Sequence, residues 1–163
     1  ARANPVWRAA ARGEAVAVFH GPQAYVTPTW YPSKREHGKV VPTWNYAVVH
    51  VHGTLRWIDD EVWLHALVTR LTDTHEAAHA EALRAAGGTP GVPWQVDDAP
   101  ADYLQTMRRA IVGLELAVTR IEGKFKLSQN RPAADFDGVV DGLQARGDDV
   151  SGALTAANRP LRR

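Results

Sequence analysis

The chain has 163 residues and no cysteine, a length that predicts one compact domain able to bury a core without disulfide or metal staples. The missing thiols exclude cysteine nucleophiles, Cys-ligated zinc and iron–sulfur clusters, and they agree with a reducing cytoplasm. Nineteen Lys and Arg against eighteen Asp and Glu leave a formal charge of +1, so bulk charge makes no case for nonspecific nucleic-acid or anionic-membrane binding.

No apolar run approaches the roughly 20 residues that cross a bilayer, and the first residues lack a signal-peptide stretch, so no membrane partner is expected. All six tryptophans lie between Trp7 and Trp94, which places the expected core in the front of the chain. Ala15 to His20 alternates small and larger apolar residues as a strand does, and Gly21-Pro22 is expected to stop it. Pro28 and Pro32 confine the segment 24–32 to an edge or an irregular loop, and residues 34–39 read as a charged hairpin or loop. Residues 40–58 are dense in β-branched and aromatic side chains, predicting two antiparallel strands with a bend at Gly53-Thr54.

Asp59-Asp60-Glu61 supplies a helix N-terminus, and Leu64, Leu67, Val68 and Leu71 repeat at helical spacing. The helix is expected to reach Gly87-Gly88, with a break near Thr72-Asp73-Thr74. A Pro/Gly-rich connector follows. Pro100 opens a short helix whose face is Tyr103, Leu104, Met107 and Ile111. Residues 114–121 alternate like a strand, Glu122-Gly123 is expected to turn, and residues 135–147 and 148–160 form two short helices. The mixture predicts an α+β protein with an antiparallel sheet.

Three groups of side chains could carry chemistry. His75-Glu76-Ala77-Ala78-His79 matches the H-E-x-x-H pattern of helical zinc sites, with Asp97 or Asp98 as a conceivable third ligand, but no further His or Gly follows at the required spacing. His50 and His52, two apart on a strand, share a face with Trp44 and Tyr46, which beside Asn45 suits a planar ligand. Lys124, Lys126, Ser128, Gln129, Asn130 and Arg131 form a donor-rich segment able to hold a phosphate. Rossmann, P-loop and nucleophile-elbow motifs do not occur.

The segments ARANPVW, GPQAYVTPTWYPSK, VPTWNYAVVHVHG, LTDTHE and IEGKFKLSQNRP, in this order, resemble the FMN-binding negative transcriptional regulators, among them the PaiB-type regulators of protease synthesis and sporulation. The resemblance implies a bacterial flavoprotein built as an FMN-binding split β-barrel with flanking helices, dimeric, with flavin at the homodimer interface. It implies a split-barrel domain over 1–142 and a C-terminal helix and basic tail over 143–163. Members carry strands ahead of the A-R-A-N-P segment, so the first strands of the barrel are expected to be missing. The match covers His75 and Glu76 and not His79, and no metal site is expected.

Carried over by position are Arg2, Asn4, Tyr25, Trp30, Tyr31, Lys34, Trp44, Asn45, Tyr46, His50, Lys126, Ser128, Gln129 and Asn130. The cofactor contacts expected among them are Tyr31, Lys34, Trp44, Asn45, His50, Lys126, Ser128, Gln129 and Asn130. Trp44 and Tyr31 are suited to pack on an isoalloxazine, Asn45 and Gln129 to bond its edge, and Lys34 or Lys126 to face phosphate. The implied function is flavin-linked repression of transcription, with direct or indirect DNA contact. The alternative is a flavin- or haem-dependent enzyme of the split-barrel class, an oxidoreductase or a catalyst of N–N bond formation resembling the piperazate synthases.

Overall fold

The computed structural model describes residues 1–9 and 12–160. Helix α1 (Val6–Ala9) precedes three long strands, β1 (Arg12–Val26), β2 (Thr43–Ile58) and β3 (Gly113–Lys126), which form an antiparallel sheet in the order β1-β2-β3. The pairing of β2 with β3 is visible in its side chains. Arg56 bonds Glu115, the His52 carbonyl accepts from Thr119, and Lys126 reaches Thr43.

The breaks expected at Gly21-Pro22, Gly53-Thr54 and Glu122-Gly123 do not occur, and each strand runs through its glycine. β1 is an edge strand, the place in a sheet where a proline is tolerated. Gly53 marks close approach rather than a bend, because a Cβ there would overlap the Ala117 carbonyl of β3. Gly123 lies on the other edge strand with open space around it. The three strands form an open sheet, so among the described residues the barrel expected from the sequence is not closed.

The chain divides into two compact units, Ala1–Ala15 with Gly53–Ala117, and Val16–His52 with Val118–Arg163. In the first, Asp60 caps α3 (Glu61–Ala85) by accepting from the Trp63 amide at 2.7 Å. The helix passes through 72–74 unbroken, where the Thr74 hydroxyl donates to the Arg70 carbonyl at 2.8 Å, so that this polar side chain is satisfied within the helix. It stops at Gly87, whose φ is +80°. α4 (Ala101–Arg109) follows Pro100 as expected. Arg2 ties the start of the chain to this unit: its guanidinium pairs with Asp59 and donates to the carbonyls of Arg109 and Ile111. That pairing holds the Asp59 carboxyl below its ordinary range.

In the second unit α2 (Ser33–Glu36) replaces the expected loop, and α5 (Ala133–Ala145) packs on α6 (Asp149–Ala157). The buried cluster joins Ala24, Val26 and Tyr31 to Val139 and Leu143 of α5, with Trp30 and Val40 against it. Gly138 and Gly142, four apart on α5, let Trp30 lie directly on the helix; a Cβ at either would overlap it. The buried Asp135 accepts from the Ser33 amide at 3.1 Å and the Ser33 hydroxyl at 2.6 Å. The core thus draws on the front of the chain, with Ala24, Val26, Tyr31, Ala47 and Leu64, and also on α5, with Phe136, Val139, Val140 and Leu143, while the tryptophans lie at its margin. None of the six is buried, and Trp44 and Trp94 are each 47% exposed.

Candidate functional site

Strand alternation decides what β2 offers to a ligand. Trp44, Tyr46 and His50 stand on one face and line a cleft of about 400 Å³ with His20 and Gln23 of β1 and Lys124 of β3. Asn45 turns to the opposite face, where it is buried beside Leu127, Ser151 and Leu154. Neighbours in sequence, Trp44 and Asn45 thus work on different sides of the sheet. On β1 the cleft is lined by Val18 and His20 and then by Gln23; the switch from even to odd positions at Gly21-Pro22 fits one extra residue in that strand.

The cleft is fixed by its own contacts. The Trp44 indole donates to Gln23 Oε1 at 3.1 Å, and Tyr25 meets its ring edge-on with centroids 6.2 Å apart. The ammonium groups of Lys124 and Lys126 each lie 6.0 Å from the Tyr46 ring centroid. Lys126 also donates to Thr43 Oγ1 at 2.7 Å and to the Trp44 carbonyl at 2.8 Å. It braces β2 from β3, leaving Lys124 as the cation that lines the cleft.

Of the expected cofactor contacts, Trp44 and His50 line the cleft. Asn45, Lys126, Ser128 and Gln129 meet one another or the adjoining backbone across β2 and β3. Ser128 Oγ donates to Asn45 Oδ1 at 3.0 Å, while Gln129 folds onto its own loop, accepting from the Leu127 amide at 2.7 Å and donating to the Phe125 carbonyl at 3.1 Å. Ser128 is buried with φ 63°, a left-handed conformation held by this packing. Asn130 is exposed. Tyr31 belongs to the core on α5; the Arg131 guanidinium lies 4.7 Å from its ring centroid, and burial pushes its phenol up. Lys34 is exposed on α2, outside the cleft lining.

Sequence reasoning missed His20 and Gln23. His20 shares the parity of Val18, a legible signal, whereas Gln23 was hidden by the expectation that β1 stops at Gly21-Pro22. In the H-E-x-x-H segment, Glu76 accepts from the Trp94 amide at 3.2 Å, so it fastens the connector after α3; His79 lines a small cleft there and His75 is exposed.

Residues 1–120 match the family described as "Putative FMN-binding domain". The chain belongs to this family. It is 36% identical over 142 residues to an uncharacterised protein of Aspergillus fumigatus, covering 84% of this chain and 54% of that protein. An uncharacterised Emericella nidulans protein is 36% identical over 139 residues, 84% of this chain and 55% of its own length. The Bacillus subtilis protease synthase and sporulation protein PAI 2 is 32% identical over 142 residues, 86% of this chain and 60% of its own length. The chain spans a little over half the length of these curated relatives, which are fungal as well as bacterial. No described helix is long and apolar enough to cross a membrane.

Proposed function

We propose that the protein binds FMN in the cleft bounded by His20, Gln23, Trp44, Tyr46, His50 and Lys124, and that the bound flavin serves a regulator of the PaiB kind. The observation that carries the reading is a cleft with two aromatic walls, amide and imidazole partners and one cation, in a chain of an FMN-binding family. Its volume of about 400 Å³ falls in the range of small-molecule sites. The donor set fits the group: Trp44 and Tyr46 offer the ring a wall, Gln23 and His20 can bond its polar edge, and Lys124 can meet the phosphate. Bound flavin would supply redox chemistry; the protein's part is to hold and orient it. The regulatory role rests on the likeness to PAI 2 by name, and with a net charge of +1 a DNA contact must be local or made through a partner. The family match carries no argument for haem.

The same reading makes the protein a homodimer. The open sheet leaves unpaired edges, and it exposes Phe19, Ile121 and Phe125, which alternation places on the face turned away from the cleft.

The test is titration of the protein with FMN and with riboflavin, followed by flavin fluorescence. Lys124→Ala is expected to weaken FMN more than riboflavin by about 1.5–3 kcal/mol, the worth of a charged hydrogen bond. Trp44→Ala is expected to weaken both alike. Equal losses on Lys124→Ala would remove the phosphate assignment, and no flavin binding by the parent chain would overturn the reading.

A further inference from the structure

Beside the cleft, β2 and β3 bring three potential ligand side chains together. His50 and His52, two apart on β2, share a face, and Glu122 of β3 lies across from them. One ligand atom from each falls within 4.8 Å of the other two. His52 Nε2 is 3.0 Å from Glu122 Oε2, and the two imidazoles lie with centroids 6.4 Å apart at 67°. A cationic group already sits at this spot: Arg120 Nη2 is 3.1 Å from both ring nitrogens of His52, and the same guanidinium pairs with Glu122.

We propose that His50, His52 and Glu122 form a binding site for a divalent transition metal of the zinc class, with Arg120 competing for the same ligands. Two imidazoles and one carboxylate suit zinc, cobalt, nickel or copper, whereas magnesium and calcium call for oxygen donors. Three protein ligands leave a coordination position for water or a small ligand. The site is reachable, since the His52 side chain is 23% exposed and that of Glu122 53%. Arg120 places a positive charge where the ion would sit, so binding requires the guanidinium to swing off His52 and Glu122. The arrangement makes a moderate, tunable site rather than a buried structural one. The inference does not rest on flavin binding: His50 belongs to both places, but Glu122 and Arg120 do not line the cleft.

The experiment uses the whole chain, stripped with a chelator and titrated with Zn²⁺ by calorimetry, and with Co²⁺ followed by its visible absorption. The expected result is one ion per chain and an intense tetrahedral-type Co²⁺ spectrum. Glu122→Gln and His52→Ala should weaken binding by roughly 10–100-fold or more, with circular dichroism confirming that the variants stay folded. Arg120→Gln should tighten it several-fold, and unchanged or weaker affinity there would overturn the competition. Flavin titration separates this site from the cleft, because Glu122→Gln should leave FMN affinity as in the parent. The absence of stoichiometric binding in the parent overturns the site, as does binding that survives Glu122→Gln and His52→Ala and is lost in a His75→Ala, His79→Ala double variant.

Discussion

Asn45, expected at the cofactor, is a buried strut between β2 and the loop after β3. It is 2% exposed, its Oδ1 accepts from Ser128, and its Nδ2 has no hydrogen-bond partner among the described residues. Removing the donor with Ser128→Ala leaves a buried carbonyl oxygen unpaired and keeps the left-handed backbone at φ 63°, at an expected cost of about 1–3 kcal/mol. Ser128→Gly loses the same bond but accepts that φ without a Cβ penalty, so urea unfolding should find it the milder of the two. A Ser128→Gly variant no milder than Ser128→Ala would show that the left-handed backbone at φ 63° carries no penalty that glycine relieves. Gly142 gives a second check at this scale. A Cβ there would enter the Trp30 indole, and Gly142→Ala is expected to cost about 1–3 kcal/mol by overpacking, with a shift in tryptophan emission as Trp30 is displaced.

Among the elements, helix ends were readable and strand continuity was not. Asp60 and Gly87 mark α3 because capping and termination are local chemistry, carried by the residue at the boundary. The glycines at 21, 53 and 123 were misread because a glycine in a strand has two meanings, a turn or a close approach, and only the neighbouring strand decides between them. The candidate site divides in the same way. Trp44 and His50 were legible from the parity of β2, while Gln23 depended on a strand expected to have ended. The cap of α6 supplies a prediction. Asp148 accepts from the Ser151 amide at 3.2 Å and from Arg146 at 2.7 Å, and the Arg146 hydrogen bond, followed by Ser151, holds its carboxyl below the ordinary value of 3.8. A carboxyl lowered on folding contributes stability that is complete above its unfolded value and is lost as pH falls through the lower folded one. Asp148→Ala should therefore cost about 1 kcal/mol near neutrality. The difference from the parent should close as denaturant titrations are taken below pH 3.8, and a gap that widens on acidification would reverse the sign.

At the scale of the whole molecule, the proposed dimer is the reading with the most at stake, because it explains why an open sheet carries apolar side chains into solvent. Phe19 is 60% exposed and Ile121 64%, on opposite edge strands whose ladders have no further partner among the described residues. A second copy can cover them, and in a two-fold interface each residue is buried twice. Burying one large aliphatic side chain is worth about 1.5–3 kcal/mol, so Ile121→Glu should remove about 3–6 kcal/mol from a symmetric dimer. That corresponds to a dissociation constant raised by roughly 10²–10⁴-fold. Position 121 is exposed in the single chain, so the variant should fold as the parent does, which circular dichroism would verify. Sedimentation equilibrium at micromolar concentration is expected to show a dimer for the parent and a folded monomer for Ile121→Glu. A parent that sediments as a stable monomer would remove the dimer. A variant that remains dimeric would move its interface away from the face bearing Ile121.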